Sequence, residues 1–156
     1  MDIKLLKKKN YLTLIENSAR GENWMFRNFY IEKDGEVTDA LEDGENSCAV
    51  VVTNILVLLN DFFHWVKGPH ATVVSAEKDL MESGWYEIEE LRIGAILLWE
   101  KLMSGYGKGH KHLGFYVGND TAISNDAKIG MPRKHHYTYN DTRKIEKIYW
   151  HSQLDE

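Results

Sequence analysis

Apolar positions are sparse in the first part of the chain. Ile3, Leu6, Leu12, Leu14 and Ile15 predict one or two short helices over residues 3–19, with Gly21 as a stop. Asp34-Gly35 and Asp43-Gly44 mark turns. From Ser47 to about Val66 the chain is apolar on most sides, which predicts a buried helix rather than a surface one, ended by Gly68-Pro69. Ser75 is placed to cap a short helix through Met81, closed by Gly84. Beyond Gly84 the pattern becomes that of strands, over residues 94–99, 112–117, 122–125, 135–139 and 145–150. Gly118-Asn119-Asp120-Thr121 reads as a hairpin turn between the second and third of these. Helices followed by an antiparallel sheet define the α+β class.

Composition narrows this picture. A chain of 156 residues, 43% apolar and 28% charged, fits one globular domain over 1–156, with residues 1–40 read as an N-terminal helical extension. A net charge of −5 argues against nucleic acid as a partner, and Lys7-Lys8-Lys9 reads as a solvated helix face. Five tryptophans and eight tyrosines read first as core and rim packing. No apolar stretch of signal-peptide length follows the early lysines. The most apolar region, residues 49–66, is interrupted by Thr53, Asn54, Asn60, Asp61 and His64, so no membrane span is expected. The expected setting is therefore the cytoplasm, where a single reduced thiol is ordinary, with signal-free export as the alternative.

That thiol carries the candidate chemistry. Cys48 is the only cysteine, and it stands at the predicted start of the buried helix, where backbone N–H groups favour a thiolate. The same N–H groups could hold an oxyanion. His112 opens a strand and is the candidate base, and Gly114 beside it leaves room for a close neighbour. A third group should orient the imidazole. If Asn119-Asp120 is a two-residue turn, His112 shares a face with Asn125, whose carbonyl oxygen can accept from the ring. A three-residue turn reverses the parity and selects Ser124. The two-residue turn, and so Asn125, is the reading adopted. A hydrolase of this kind needs no cofactor.

The segments Ser47-Cys48-Ala49, Gly94-Ala95-Ile96-Leu97-Leu98-Trp99, His112-Leu113-Gly114-Phe115-Tyr116-Val117-Gly118 and Ala122-Ile123-Ser124-Asn125 resemble, in order and spacing, the NlpC family of papain-like cysteine peptidases and the related CHAP amidases. The resemblance covers roughly residues 44–126. It implies a papain-like fold, with the nucleophile helix packed on an antiparallel sheet that carries the base. It also implies hydrolysis of a peptide or amide substrate, often in peptidoglycan. By position, Cys48 matches the family's nucleophile and His112 its base, while simple counting puts the third polar residue on Ser124. Ala95 stands where the family's strand has aspartate, and the tyrosine usual before the cysteine has no clear match among residues 43–46.

Three other readings compete. His110, His112, His135 and His136, with Asp120 or Asp126, could make a zinc site, although His135 and His136 point to opposite faces of a strand. The glycine segment 105–109 lacks phosphate-loop spacing and reads as a loop bordering the site. A binding protein that keeps the fold without the chemistry is the third.

Overall fold

The computed structural model describes residues 1–102 and 109–155. The glycine segment singled out above therefore lies, apart from Gly109, outside the described residues. The architecture is mixed α+β with antiparallel sheets. Helix α1 (Lys7–Ser18) leads to a hairpin of β1 (Tyr30–Lys33) and β2 (Glu36–Asp39). Helices α2 (Cys48–Val57), α3 (Asn60–Phe63) and α4 (Val73–Glu82) follow. The remaining strands are β3 (Tyr86–Ile88), β4 (Ile96–Leu102), β5 (His110–Gly118), β6 (Thr121–Asp126), β7 (Met131–His136) and β8 (Ile145–Trp150). They form one sheet in the order β3-β8-β4-β5-β6-β7, with all neighbours antiparallel.

Residues 1–40 are not a helical extension. Tyr11 and Ile15 of α1 are fully buried in the main core, and the Tyr11 hydroxyl donates to the Gly94 carbonyl at 2.8 Å. Residues 30–39 are the β1–β2 hairpin, turned at Asp34-Gly35 as the dipeptide suggests. The helix expected over 47–66 is likewise broken. The Asn60 amide donates to the Val66 carbonyl and accepts from the Trp65 N–H, while His64 adopts a left-handed φ of 54°. An asparagine that binds the backbone ahead of it competes with helix continuation. On α4 the cap is Thr72, whose hydroxyl accepts from the Ser75 N–H; Ser75 itself lies one turn inside.

Two apolar clusters lie on the two faces of the sheet. Helix α2 packs on β5 and β6, with Val51, Val52, Ile55, Leu98, Leu113, Phe115 and Ile123 among the buried residues of the larger cluster. Trp65 and Trp85 belong to it, joined by a bond from the Trp85 indole N–H to the Trp65 carbonyl. Leu97, Trp99 and Ala122 form the smaller cluster, with Tyr116, Tyr137 and Tyr139 packed against it. Four of the five tryptophans are thus core residues, and Trp24 is exposed. Alternation along β5 sends Leu113 and Phe115 towards the helix and leaves His112, Gly114 and Tyr116 on the opposite face.

Buried polar groups fix the α3–α4 connection. Asp79, 3% exposed, accepts from the Lys67 N–H with both oxygens and lies 2.6 Å from His70 Nε2. The Ser83 hydroxyl also donates to it. Among the described residues, no helix is long and apolar enough to cross a membrane.

Candidate active site

Cys48 is the first residue of α2 and keeps part of its surface open. Ser47 occupies the N-cap position without a side-chain capping bond, and its hydroxyl is buried with no partner in the described structure. The N–H groups of the first turn are therefore not consumed by a cap. The N–H groups of Leu113 on β5, of Ala49 and of Cys48 itself favour the charged form of the thiol, and the Arg143 charge acts in the same direction. Burial is the larger effect, and the thiol is pushed above its ordinary range. The expectation that the helix start alone would give a thiolate is corrected: the dipole of the first turn is outweighed by lost hydration. In the folded protein, Cys48 alkylation by iodoacetamide should titrate above the ~8.5 of a free thiol. A midpoint below neutrality would contradict a thiol governed by burial.

The Leu113 amide belongs to the peptide that links His112 to its neighbour, so α2 delivers the sulfur to the backbone beside the histidine. No hydrogen bond joins the thiol to the imidazole among the described residues, a common condition of nucleophile–base pairs without substrate. His112 lies on the face away from α2, with its ring centroid 5.5 Å from that of Trp99. Burial, then the charges of Arg143 and His135, push its pKa down to about 3. The imidazole is neutral at physiological pH.

The side chain that meets the imidazole is Ser124, not Asn125. The turn is the two-residue one expected: Asn119 and Asp120 both have left-handed φ, and Gly118 pairs with Thr121. A register shift between Tyr116 and Gly118 then moves the ladder by one residue, so that Tyr116 pairs with Ala122 and Gly114 with Ser124. One extra residue reverses which side chains share a face. Ser124 Oγ lies 2.9 Å from His112 Nε2. Asn125 points the other way and donates to the Gly44 carbonyl at 2.7 Å, which ties the turn before Cys48 to the sheet. Gly44 has φ 90°, and a Cβ there would meet the Gly130 Cα at 2.5 Å, so only glycine fits this approach.

Two residues assigned no role in hydrolysis join the cluster. His135 Nε2 lies 2.7 Å and the Tyr139 hydroxyl 3.0 Å from Ser124 Oγ. The His135 and Tyr139 rings stack at 4.1 Å with 18° between planes. Tyr139 is not in a strand; it sits in the turn after β7 with φ 53°, a costly conformation for a bulky residue. The meeting of Ser124 and His135 follows from the unbroken β6–β7 register, which the strand expected over 135–139 missed because β7 already begins at Met131. Arg143 reaches the same region. Its Nε and Nη2 donate to the carbonyls of Glu100 and His110, and its guanidinium carbon lies 5.8 Å from the Tyr139 ring centroid.

Gly114 makes room for the cluster. A Cβ at this position would lie 2.6 Å from Ser124 Cβ and 2.9 Å from Trp99 Cζ3. Gly114→Ala should destabilise the fold by about 1–3 kcal/mol through overpacking and displace Ser124 from His112. Thermal melts check the first effect, and a wild-type melting temperature would contradict it.

Among the described residues, no group of three or more His, Cys, Asp or Glu side chains is placed to hold a metal. His112 and His135 converge on Ser124, whereas His136 accepts from Thr138. Compared with protein-family models and with curated protein sequences, the chain finds no match.

Proposed function

We propose that the protein is a cysteine hydrolase of papain-like, NlpC-like architecture that cleaves an amide bond through Cys48, His112 and Ser124. The observation that carries this reading is the packing of α2, which begins at Cys48, on β5, which carries His112, with Ser124 Oγ 2.9 Å from His112 Nε2. In the reaction Cys48 attacks the substrate carbonyl while His112 Nδ1 takes the thiol proton. The N–H groups of Cys48 and Ala49 then stabilise the oxyanion. His112 returns the proton to the leaving amine, the thioester forms, and water releases the acid by the same route.

Because the resting pair is a neutral thiol and a neutral imidazole, the proton moves as the sulfur attacks rather than beforehand. The same neutrality favours a second reading, in which the fold is kept as a binding protein without turnover. Incubation with peptidoglycan stem peptides and other short amides, followed by mass spectrometry, separates the two. Cleavage that disappears in Cys48→Ala supports the hydrolase. Binding without cleavage in both proteins supports the second reading.

A further inference from the structure

The geometry points to His135 as a positioning residue that acts through Ser124 to fix the His112 proton on Nε2 and its lone pair on Nδ1. This inference deepens the proposed hydrolase site and rests on that reading for its consequence, though not for its geometry.

His135 Nδ1 lies 2.8 Å from the His136 carbonyl oxygen. A carbonyl only accepts, so Nδ1 must carry the hydrogen. Burial disfavours the charged form of His135, so the ring is neutral and its Nε2 has only a lone pair to offer. The atom facing that lone pair at 2.7 Å is Ser124 Oγ, which must therefore donate. A serine hydroxyl has one hydrogen and two acceptor sites. With its hydrogen spent on His135, Ser124 can only accept from its other two neighbours. The Tyr139 hydroxyl at 3.0 Å and His112 Nε2 at 2.9 Å are both obliged to donate. His112 is neutral as well, so a proton on Nε2 leaves Nδ1 as the free base.

Ser124 alone would not achieve this. A hydroxyl free to rotate could equally donate to His112 Nε2, which would put the ring proton on Nδ1 and remove the base. His135 breaks that symmetry, and its stacking on Tyr139 under the buried Trp99 holds it in place. Ser124 is itself 1% exposed, so the Ser124–His135 pair serves as a relay and not as a second nucleophile.

The test uses the full-length chain and two variants, His135→Phe and His135→Gln. Long-range proton–nitrogen correlation spectra at neutral pH report the ring tautomers. Wild-type His112 should show a protonated Nε2 and a bare Nδ1, and His135 a protonated Nδ1. His135→Phe should convert His112 to a mixture of tautomers and slow Cys48 alkylation about tenfold at fixed pH. His135→Gln keeps an acceptor for the Ser124 hydroxyl and should restore both. A wild-type His112 protonated on Nδ1 overturns the inference, as does a tautomer unchanged in His135→Phe. If that variant fails to fold, the wild-type and Gln spectra still decide. The expected tautomers without turnover on any amide would sink the hydrolase reading and leave the relay standing.

Discussion

His112→Ala is expected to lower turnover of any amide substrate by roughly a thousandfold or more, and Cys48→Ala to reduce it to background. The reason is the neutral resting pair. A thiol raised by burial holds little thiolate near neutral pH, so attack requires a base to approach it, and His112 is the imidazole next in sequence to the Leu113 amide that favours the charged sulfur. The two losses should not add in the double variant, because both residues serve the same proton transfer. Folding should survive. Cys48 is half-buried and His112 sits at the start of a strand, so melts should move by only a few degrees. Activity of Cys48→Ala equal to wild type would remove the nucleophile assignment.

Asp79→Ala is expected to cost about 3 kcal/mol of stability, the largest effect away from the candidate site. The variant leaves the Lys67 N–H and the Ser83 hydroxyl without their acceptor and removes the His70 contact. Asp79→Asn, which keeps an acceptor oxygen, should cost less. The same carboxylate predicts an acid limb. Burial alone would raise its pKa, but the bonds from His70, Ser83 and the Lys67 N–H hold it below the usual carboxylate value. Its stabilisation is therefore present above an unfolded pKa of ~3.9 and is lost as pH falls through the folded value. His112 acts in the same direction over a higher range. Between its unfolded value of ~6.5 and its folded value of about 3, the unfolded chain binds a proton that the folded one does not, so stability falls with acid. Denaturant titrations against pH check both effects: Asp79→Asn should flatten the slope below pH 4, and His112→Gln the slope between 6.5 and 3. A slope unchanged in either variant would contradict the corresponding assignment.

Much of this was legible in the residues. The α+β order, the helix start at Cys48, the His112 strand and the two-residue turn at Asn119-Asp120 all follow from local patterns that tertiary packing reinforced. What was not legible came from non-local bonds. The register of β6 turned on one bulge residue near Val117, which moved Ser124 to His112 and sent Asn125 to Gly44. The break in the long apolar helix came from Asn60, whose side chain binds backbone five and six residues ahead. Helix propensity gives no warning of that. The strand over 145–150 was plain, whereas β7 begins at Met131 and contains Pro132. Proline is tolerated there because β7 is an edge strand, which only the sheet order reveals. The state of the thiol also escaped the sequence, since burial is a property of the assembled core.

Attack by Cys48 with His112 as its base can be tested without the natural substrate. An activated ester such as p-nitrophenyl acetate should give a burst of one nitrophenol per protein and a matching acetyl mass on Cys48. The burst should vanish in Cys48→Ala and slow at least a hundredfold in His112→Ala. An acetyl group found elsewhere, or a burst equally fast without His112, would contradict this mechanism.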